Sequence, residues 1–273
     1  MPEAPTKRRV GIAGFGTIGR KVGQALLAGM PGLSLAAISS GNRDRAAAAL
    51  QAMGASLPVV DAAELPSHCD IIVECAPTDA FLAVAEPALQ AGCTVITVSG
   101  AAILQHPHIV ELAREHRGQI ILATGALLGL DAVRAAAEGE IHSVTMVTRK
   151  PPKSLKKARY IVEQGIELEG ISAPLRVFAG SAREGAEKFP ANVNVAAALG
   201  LAGVGAERTQ LEIWADPGLS RNTHFITVDA DSARLELKIE NVPTEENPGT
   251  GRITALSVIT ALRSLGAALR VGS

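Results

Sequence analysis

Three closely spaced glycines, lying between a short apolar run and a segment with helical spacing, constrain the fold of this chain more than any other feature. The apolar run covers 10–15, the glycines are Gly14, Gly16 and Gly19, and apolar residues then recur at helical spacing as far as Leu26. A strand, a tight turn and a helix in this order begin a βαβ unit. In such a unit the first glycine permits the turn, the second lets the backbone approach a pyrophosphate, and the third lets helix and strand pack closely. The pattern therefore predicts a dinucleotide site.

The helix that follows these glycines is the second part of that site. Its first N–H groups have no partner within the helix, and the positive end of the helix dipole favours a phosphate there. We therefore predict that the cofactor is bound by Gly14, Gly16, Thr17, Ile18 and Gly19. The alternative is that the glycines only form a short turn.

The end of the second predicted strand bears on the choice between NAD and NADP. A preference for NAD usually requires an acidic residue about 20 residues after the glycines. At that place the chain has Ser39, Ser40 and Asn42, followed by Arg43. Because an arginine accommodates a 2′-phosphate, we predict that Arg43 binds the cofactor and that NADP binds at least as readily as NAD. Otherwise Arg43 is a solvated residue of the first helical turn.

Continuous apolar strands alternate with helical segments as far as residue 122. This alternation is typical of a parallel sheet covered on both faces. Pro87 lies within the third helical segment, where we expect a kink or an early end of the helix.

The pattern changes after Asp131 to longer polar segments and strands with alternating hydrophobicity, as in 234–240. We therefore predict an α/β protein, in which a Rossmann-type parallel sheet domain is followed by an α+β domain with a largely antiparallel sheet. The predicted boundaries are 1–130 for the dinucleotide-binding domain, 131–248 for the substrate and dimerisation domain, and 249–273 for a C-terminal helix that packs back on the first domain.

Composition excludes several classes of protein. The 273 residues include 26 basic and 27 acidic side chains, so bulk charge does not favour nucleic acid or an anionic membrane surface. No apolar run approaches the length of a membrane helix. The three cysteines are odd in number and far apart, which argues against a disulfide framework. With a basic start that is unlike a signal peptide, we expect a cytoplasmic protein.

None of the six histidines has the spacing of a metal site, so no metal is predicted. His224 stands out because it shares a strand face with Ile226 and Val228. A histidine on an apolar face is commonly a core residue with a satisfied hydrogen bond. Its ordinary pKa near 6.5 also suits proton transfer beside a redox site. The pattern alone leaves both interpretations open.

Five basic residues follow one another closely in the second domain. They are Arg149, Lys150, Lys153, Lys156 and Lys157. They form either a solvated loop or a site for an anionic substrate.

Several segments carry a resemblance to a known family. The segments are FPANVNV at 189–195, NTH at 222–224, GALLGLD at 125–131 and ENPGTGRITALS at 246–257. In these the chain resembles the L-aspartate dehydrogenase family, and the resemblance extends over essentially the whole length.

The resemblance implies oxidative deamination of L-aspartate to oxaloacetate and ammonia through iminoaspartate, with NAD or NADP as cofactor. It also implies a homodimer formed with the sheet of the second domain and, in some organisms, a supply of iminoaspartate for NAD biosynthesis. His224 matches the active-site histidine of the family, and Ala126 and Asn194 match positions that contact the cofactor. Asn192 is close enough to Asn194 that the choice between them stays open.

Two other classes remain as alternatives. Homoserine dehydrogenase and dihydrodipicolinate reductase combine a Rossmann domain with a dimerising sheet domain and carry out different reactions. A non-catalytic NAD(P)-binding protein would bind the cofactor without turnover.

Overall fold

The structure, a computed structural model, describes residues 7–190, 193–247 and 249–272. Asn192, the alternative cofactor contact, lies outside the described residues. The strands are β1 (Arg8–Ala13), β2 (Leu33–Ser39), β3 (Val59–Val60), β4 (Ile71–Glu74), β5 (Thr94–Thr97), β6 (Gln119–Leu122), β7 (Ile141–Lys150), β8 (Leu175–Ser181), β9 (Thr209–Ala215), β10 (Thr223–Ala230) and β11 (Arg234–Glu240).

The helices connect these strands or cover the sheets. They are α1 (Thr17–Leu27), α2 (Arg43–Ala52), α3 (Leu65–His68), α4 (Phe81–Gln90), α5 (Gly100–Gln105), α6 (His108–Glu115), α7 (Leu130–Ala136), α8 (Pro152–Leu155), α9 (Arg159–Glu163), α10 (Ala182–Lys188), α11 (Asn194–Ala202) and α12 (Arg252–Leu265). In the part of the chain that the structure describes, no helix has the length and apolar character needed to cross a membrane.

The first of two compact units contains the described residues of 1–99, 106–123 and 254–270. Its sheet has six parallel strands in the order β3-β2-β1-β4-β5-β6. All four residues of β4 are buried, as a strand covered on both faces requires. The strand order reverses between β1 and β4, because β2 and β3 lie on one side of β1 and β4, β5 and β6 lie on the other. Open α/β sheets bind ligands at such a reversal. The predicted Rossmann-type fold is confirmed.

The C-terminal helix α12 belongs to this first unit. Its side chains Val258 and Leu262 have no exposed surface and join the core that includes Val10 and Ile12 of β1. The apolar residues of α12 recur at helical spacing in the sequence because one stripe of the helix faces this core.

The second unit contains the described residues of 100–105, 124–253 and 271–272. Its sheet has five strands in the order β11-β10-β7-β9-β8, and every neighbouring pair is antiparallel except β7 and β9. Side chains alternate along β9 between a buried face and a more exposed one. The predicted α+β fold with a largely antiparallel sheet is confirmed.

Of the two outcomes expected at Pro87, a kink or an early end of the helix, the early end is wrong. Pro87 lies inside α4, and the helix continues to Gln90. The buried face of α4 explains why the helix persists, since Phe81, Val84 and Leu89 are almost completely buried. Tertiary packing of that face outweighs the lost backbone hydrogen bond.

Candidate active site

The glycine turn after β1 has the backbone geometry that a dinucleotide loop needs. Gly14 has a φ of +90°, a conformation that glycine adopts far more readily than other residues. A Cβ at Gly14 would collide with the carbonyl of Cys75, and a Cβ at Gly19 would collide with the carbonyl of Gly14. Both positions therefore exclude a side chain because other backbone lies against them.

Gly16 differs from its two neighbours in having open space around it. A Cβ built on Gly16 meets nothing within 4 Å. Gly16 is also the N-cap of α1, which begins at Thr17 without a side-chain cap. Open space at a helix start with uncapped N–H groups fits a pyrophosphate. The residues present therefore fit the dinucleotide predicted from the sequence.

The end of β2 carries the residues on which cofactor choice was predicted to depend. Asn42 caps α2 by accepting a hydrogen bond from the backbone N–H of Arg45 at 2.9 Å. Arg43 is half exposed and forms an ion pair with Asp61, with 2.5 Å between Nη2 and Oδ1. Arg43 is therefore at the predicted place but engaged with an acidic residue that the sequence interpretation did not consider.

A buried carboxylate lies at the end of β4, and the sequence interpretation missed it. Glu74 has no exposed surface and accepts hydrogen bonds from Thr97 Oγ1 at 2.5 Å and from the Ala76 backbone N–H at 2.8 Å. Burial raises the pKa of this carboxyl group. Glu74 thus joins the carboxyl ends of β4 and β5 and fixes the Cys75–Ala76 backbone that lies against Gly14.

His224 lies on the buried face of β10 in the second unit. Only 3% of its surface is exposed. The Nδ1 atom of its ring lies 3.1 Å from Thr148 Oγ1 on the neighbouring strand β7. Burial, together with the charge of Lys150, lowers the pKa of His224 to about 3. The imidazole is therefore neutral at physiological pH, with Nδ1 oriented by a hydroxyl.

The basic cluster predicted as one loop is divided by the structure. Arg149 and Lys150 are the last two residues of β7 and point to opposite faces of the sheet. Lys150 is 5% exposed, and burial lowers its pKa to about 8. The guanidinium carbon of Arg149 lies 5.5 Å from the centre of the Trp214 ring, and Arg149 Nη1 lies 3.4 Å from Asp216 Oδ2. Lys150 therefore lies on the same sheet face as His224, which is paired with Thr148. The sequence could have indicated this position, because Lys150 comes two residues after Thr148 and alternate residues of a strand share a face.

Side-chain amides anchor the two positions that the resemblance assigned to the cofactor. The carbonyl oxygen of Ala126 accepts a hydrogen bond from Asn241 Nδ2 at 3.2 Å. The Oδ1 atom of Asn194, the first residue of α11, accepts one from the Ala101 backbone N–H at 3.1 Å. Asn241, which follows β11 and is 5% exposed, was not singled out in the sequence.

No group of three or more metal-ligating side chains occurs among the residues that the structure describes. The six histidines are accordingly not brought together with acidic residues or cysteines into such a group.

Comparisons with known proteins cover both units. The family described as homoserine dehydrogenase, NAD binding domain, matches residues 14–123. The family described as aspartate dehydrogenase, C-terminal, matches residues 131–265. An L-aspartate dehydrogenase of Bradyrhizobium diazoefficiens is 49% identical, covering 99% of this chain and 96% of the relative. L-aspartate dehydrogenase 3 of Bordetella bronchiseptica is 48% identical, covering 97% of each chain.

The chain belongs to the L-aspartate dehydrogenase family. The resemblance seen in the sequence is confirmed, and so is the expected class of cofactor, a pyridine nucleotide. The choice between NAD and NADP stays a prediction.

Structural comparison agrees with the assignment to the L-aspartate dehydrogenase family. The crystal structure of aspartate dehydrogenase from Thermotoga maritima matches with a TM-score of 0.74 and 26% identity, covering 97% of this chain and 99% of that one. A scyllo-inositol dehydrogenase from Lactobacillus casei matches with a TM-score of 0.55 at 14% identity. That second likeness shows the fold alone.

Proposed function

We propose that this protein oxidises L-aspartate to oxaloacetate and ammonia through iminoaspartate, with NAD or NADP as the oxidant. The observation that carries the proposal is His224, a buried neutral imidazole oriented by Thr148 beside a buried lysine. The glycine turn after β1 supplies a dinucleotide site in the same chain. Relatives named L-aspartate dehydrogenase over nearly the whole length give the substrate.

The cofactor would be held by the glycine turn and the start of α1, through Gly14, Gly16, Thr17, Ile18 and Gly19. When bound, it would supply the acceptor for the hydride that leaves Cα of the amino acid. Ala126 and Asn194 are proposed to contact it as well, and their backbone and side chain are held by hydrogen bonds within the second unit. These residue assignments rest on the glycine geometry and on the resemblance.

His224 is the proposed acid–base residue for the hydrolysis of the imine. Its neutral ring nitrogen takes a proton from the water whose oxygen bonds to the imine carbon. The ring then returns that proton to the amine nitrogen. As the C–N bond breaks and ammonia leaves, the ring takes up the remaining hydroxyl proton, so that the ketone of oxaloacetate forms, and the ring then releases this proton to the departing ammonia or to solvent. A positioned acid–base group of this kind typically accelerates a reaction by about 10²–10⁴-fold.

Both NAD and NADP are proposed as cofactors. Arg43 supports NADP, because a guanidinium can bind a 2′-phosphate through charge-assisted hydrogen bonds. The ion pair between Arg43 and Asp61 opposes this, because a 2′-phosphate would have to displace or share that arginine.

We propose a homodimer formed through the outward face of the five-stranded sheet. This face carries Phe225, which is 39% exposed, and Trp214, which lies under the guanidinium groups of Arg149 and Arg176. Exposed aromatic residues of this kind are enriched at protein interfaces. Sedimentation of Phe225→Glu tests the proposal, since the variant should be monomeric where the wild type is dimeric, and an unchanged wild-type mass would refute it.

A cytoplasmic location completes the proposal. The three cysteines are free thiols, which suits a reducing compartment. Iminoaspartate formed there could supply the synthesis of NAD.

A panel of amino acids tests the proposed activity. Purified protein is incubated with NAD or NADP and with L-aspartate, L-homoserine or L-alanine, and the absorbance of the reduced nicotinamide is followed. The proposal predicts reduction that depends on L-aspartate. Reduction with L-homoserine alone would favour the alternative that the match of the first unit suggests. Tight cofactor binding without any turnover would favour a non-catalytic protein.

A further inference from the structure

Asn241 is a buried asparagine whose side-chain amide is only half satisfied. It follows β11, and 5% of its surface is exposed. Its Nδ2 atom donates a hydrogen bond to the Ala126 carbonyl at 3.2 Å, while its Oδ1 atom is buried and has no hydrogen-bond partner among the described residues. Exchanging the two amide atoms would set two oxygens against each other at Ala126, so the hydrogen bond fixes the orientation of the amide.

The buried Oδ1 atom of Asn241 lowers the stability of the protein, because a buried acceptor without a partner loses its hydrogen bonds to water. An apolar side chain of the same shape, such as leucine, would avoid that cost. The surrounding chain nevertheless leaves room for the amide, since a Cβ built on Gly251 would lie only 3.0 Å from Oδ1. Stability alone therefore does not explain the asparagine, and the explanation lies in the carbonyl group that Nδ2 holds.

The Ala126 carbonyl belongs to a turn that lies along the buried face of β11. Gly125 and Gly129 at the two ends of the turn have φ values of +63° and +72°, which glycine adopts more readily than other residues. A Cβ on Gly129 would meet the Leu237 side chain of β11 at 3.0 Å. At the other end of the turn, Ala126 is bonded to Asn241, four residues beyond Leu237. The turn therefore lies against β11 at two points, and Asn241 supplies the hydrogen bond at one of them.

The same sheet face carries His224. Strands β10 and β11 are antiparallel, and His224 lies directly opposite Ile239. The pairing continues beyond the strand, because the backbone N–H of Asn241 donates to the Asn222 carbonyl at 2.9 Å. Since alternate residues share a face, Asn241 is the diagonal neighbour of His224, and such neighbours are about 7–8 Å apart at Cα. Asn241 therefore links the Ala126 turn to the strand pair that carries the imidazole, all within the second unit.

We infer that Asn241 is a positioning residue for the cofactor, because its Nδ2 atom holds the Ala126 turn in one place relative to His224. The inference rests on the proposed function, in which Ala126 contacts the cofactor. Asn241 acts through the turn and takes no part in proton transfer. Without its hydrogen bond, the turn between two glycines would adopt more conformations, and cofactor binding would have to order it again at a cost in affinity.

The test compares three purified variants with the wild type. Asn241→Leu replaces the amide by an apolar group of similar shape, and Asn241→Asp keeps the shape but puts an oxygen in place of the donor. Asn247→Ala, at an exposed asparagine that accepts a hydrogen bond from the Gly249 N–H, is the matched control for a bond with a local role. Fluorescence titration with NADH and NADPH gives dissociation constants, urea unfolding gives stability, and hydrogen exchange is followed in the segment 124–130.

The inference predicts that Asn241→Leu is about as stable as the wild type but binds the reduced cofactor about tenfold more weakly, the effect of losing one hydrogen bond. Exchange in 124–130 should be faster in this variant when no cofactor is bound. Asn241→Asp should also bind more weakly, and it decides the test if Asn241→Leu does not fold. Asn247→Ala should lose some stability and keep the cofactor affinity of the wild type.

Unchanged cofactor affinity in a folded variant of Asn241 would overturn the inference, as would lower stability without weaker binding. Unchanged exchange in 124–130 would show that Asn241 does not hold the turn, and would also overturn it. If the wild type binds the reduced cofactor but does not oxidise L-aspartate, the proposed activity fails, while the contribution of Asn241 to cofactor binding is still measured directly.

Discussion

Two buried ionisable side chains, His224 and Lys150, face each other diagonally on one side of the second sheet. The sequence alone left His224 either as a core residue or as a proton-transfer residue. Its environment has features of both, since it is buried yet bonded to Thr148 and influenced by a cation.

Replacing His224 separates a catalytic role from a structural one. His224→Asn should remain folded and lower kcat for L-aspartate by about 10²–10⁴-fold, because the variant keeps a polar side chain but loses the titratable ring. Cofactor affinity should be nearly unchanged, since the glycine turn belongs to the other unit. His142→Asn, at an exposed histidine of β7, is the matched control. A folded His224→Asn protein with near-normal kcat would remove His224 from the mechanism.

The charge on Lys150 should lower the stability of the free protein in a way that depends on pH. Burial lowers its pKa from 10.5 to about 8, so the unfolded chain binds this proton more tightly than the folded chain does. Below pH 8 the wild type carries the full penalty, and its stability should rise as the pH increases from about 8 to 10.5.

Urea unfolding of Lys150→Met measures this penalty. Between pH 7 and pH 10.5 the difference in the free energy of unfolding between the two proteins should shift in favour of the wild type by up to about 3 kcal/mol, since one pKa unit corresponds to about 1.4 kcal/mol. A difference that is the same at pH 7 and pH 10.5 would show that packing, and not the charge, causes it.

The glycine turn is the element on which cofactor binding depends, and its glycines should fail in different ways. Gly16→Val should fold with nearly unchanged stability and lose cofactor affinity, because a side chain there enters open space where a pyrophosphate fits. Gly14→Ala should instead lower the free energy of unfolding, because its Cβ meets the Cys75 carbonyl and its φ is +90°. Fluorescence titration with reduced cofactor and urea unfolding distinguish the two. Tight binding by folded Gly16→Val would contradict the site.

The end of β2 should determine the choice of cofactor. Arg43→Gln should weaken NADP binding more than NAD binding, because only NADP offers a 2′-phosphate. Asp61→Asn should have the opposite effect and strengthen NADP binding, because it releases Arg43 from its ion pair. Dissociation constants for both cofactors check this prediction. Equal effects of Arg43→Gln on NAD and NADP binding would show that Arg43 does not bind the 2′-phosphate.

Elements with strong local patterns were predictable from the sequence, and elements that depend on partners distant in the chain were not. The strand β11 lies at the alternating segment 234–240, and β1 and α1 lie on either side of the glycine turn, as the patterns indicated. The short helix α5 and the strand β8 were not predicted, since α5 is only six residues long and β8 is set by its pairing with β9. The parallel pairing of β7 with β9 likewise has no local signature.

At the scale of the whole molecule, the candidate site was predictable in part. The glycine turn and His224 were found because their patterns are local. Glu74, Asn241 and the burial of Lys150 were missed because each depends on contacts between segments far apart in the sequence. The basic run was interpreted as a loop, whereas pairing of β7 with β9 extends the strand through Lys150.

Ammonia release tests the central claim most directly, because oxidative deamination and alcohol oxidation differ in that product. Purified protein is given L-aspartate with NAD or NADP, and ammonium, oxaloacetate and reduced nicotinamide are measured in the same samples. We predict that the three accumulate in equal amounts and that His224→Asn slows all three together. Reduced nicotinamide formed without ammonium, or formed from L-homoserine and not from L-aspartate, would contradict the claim.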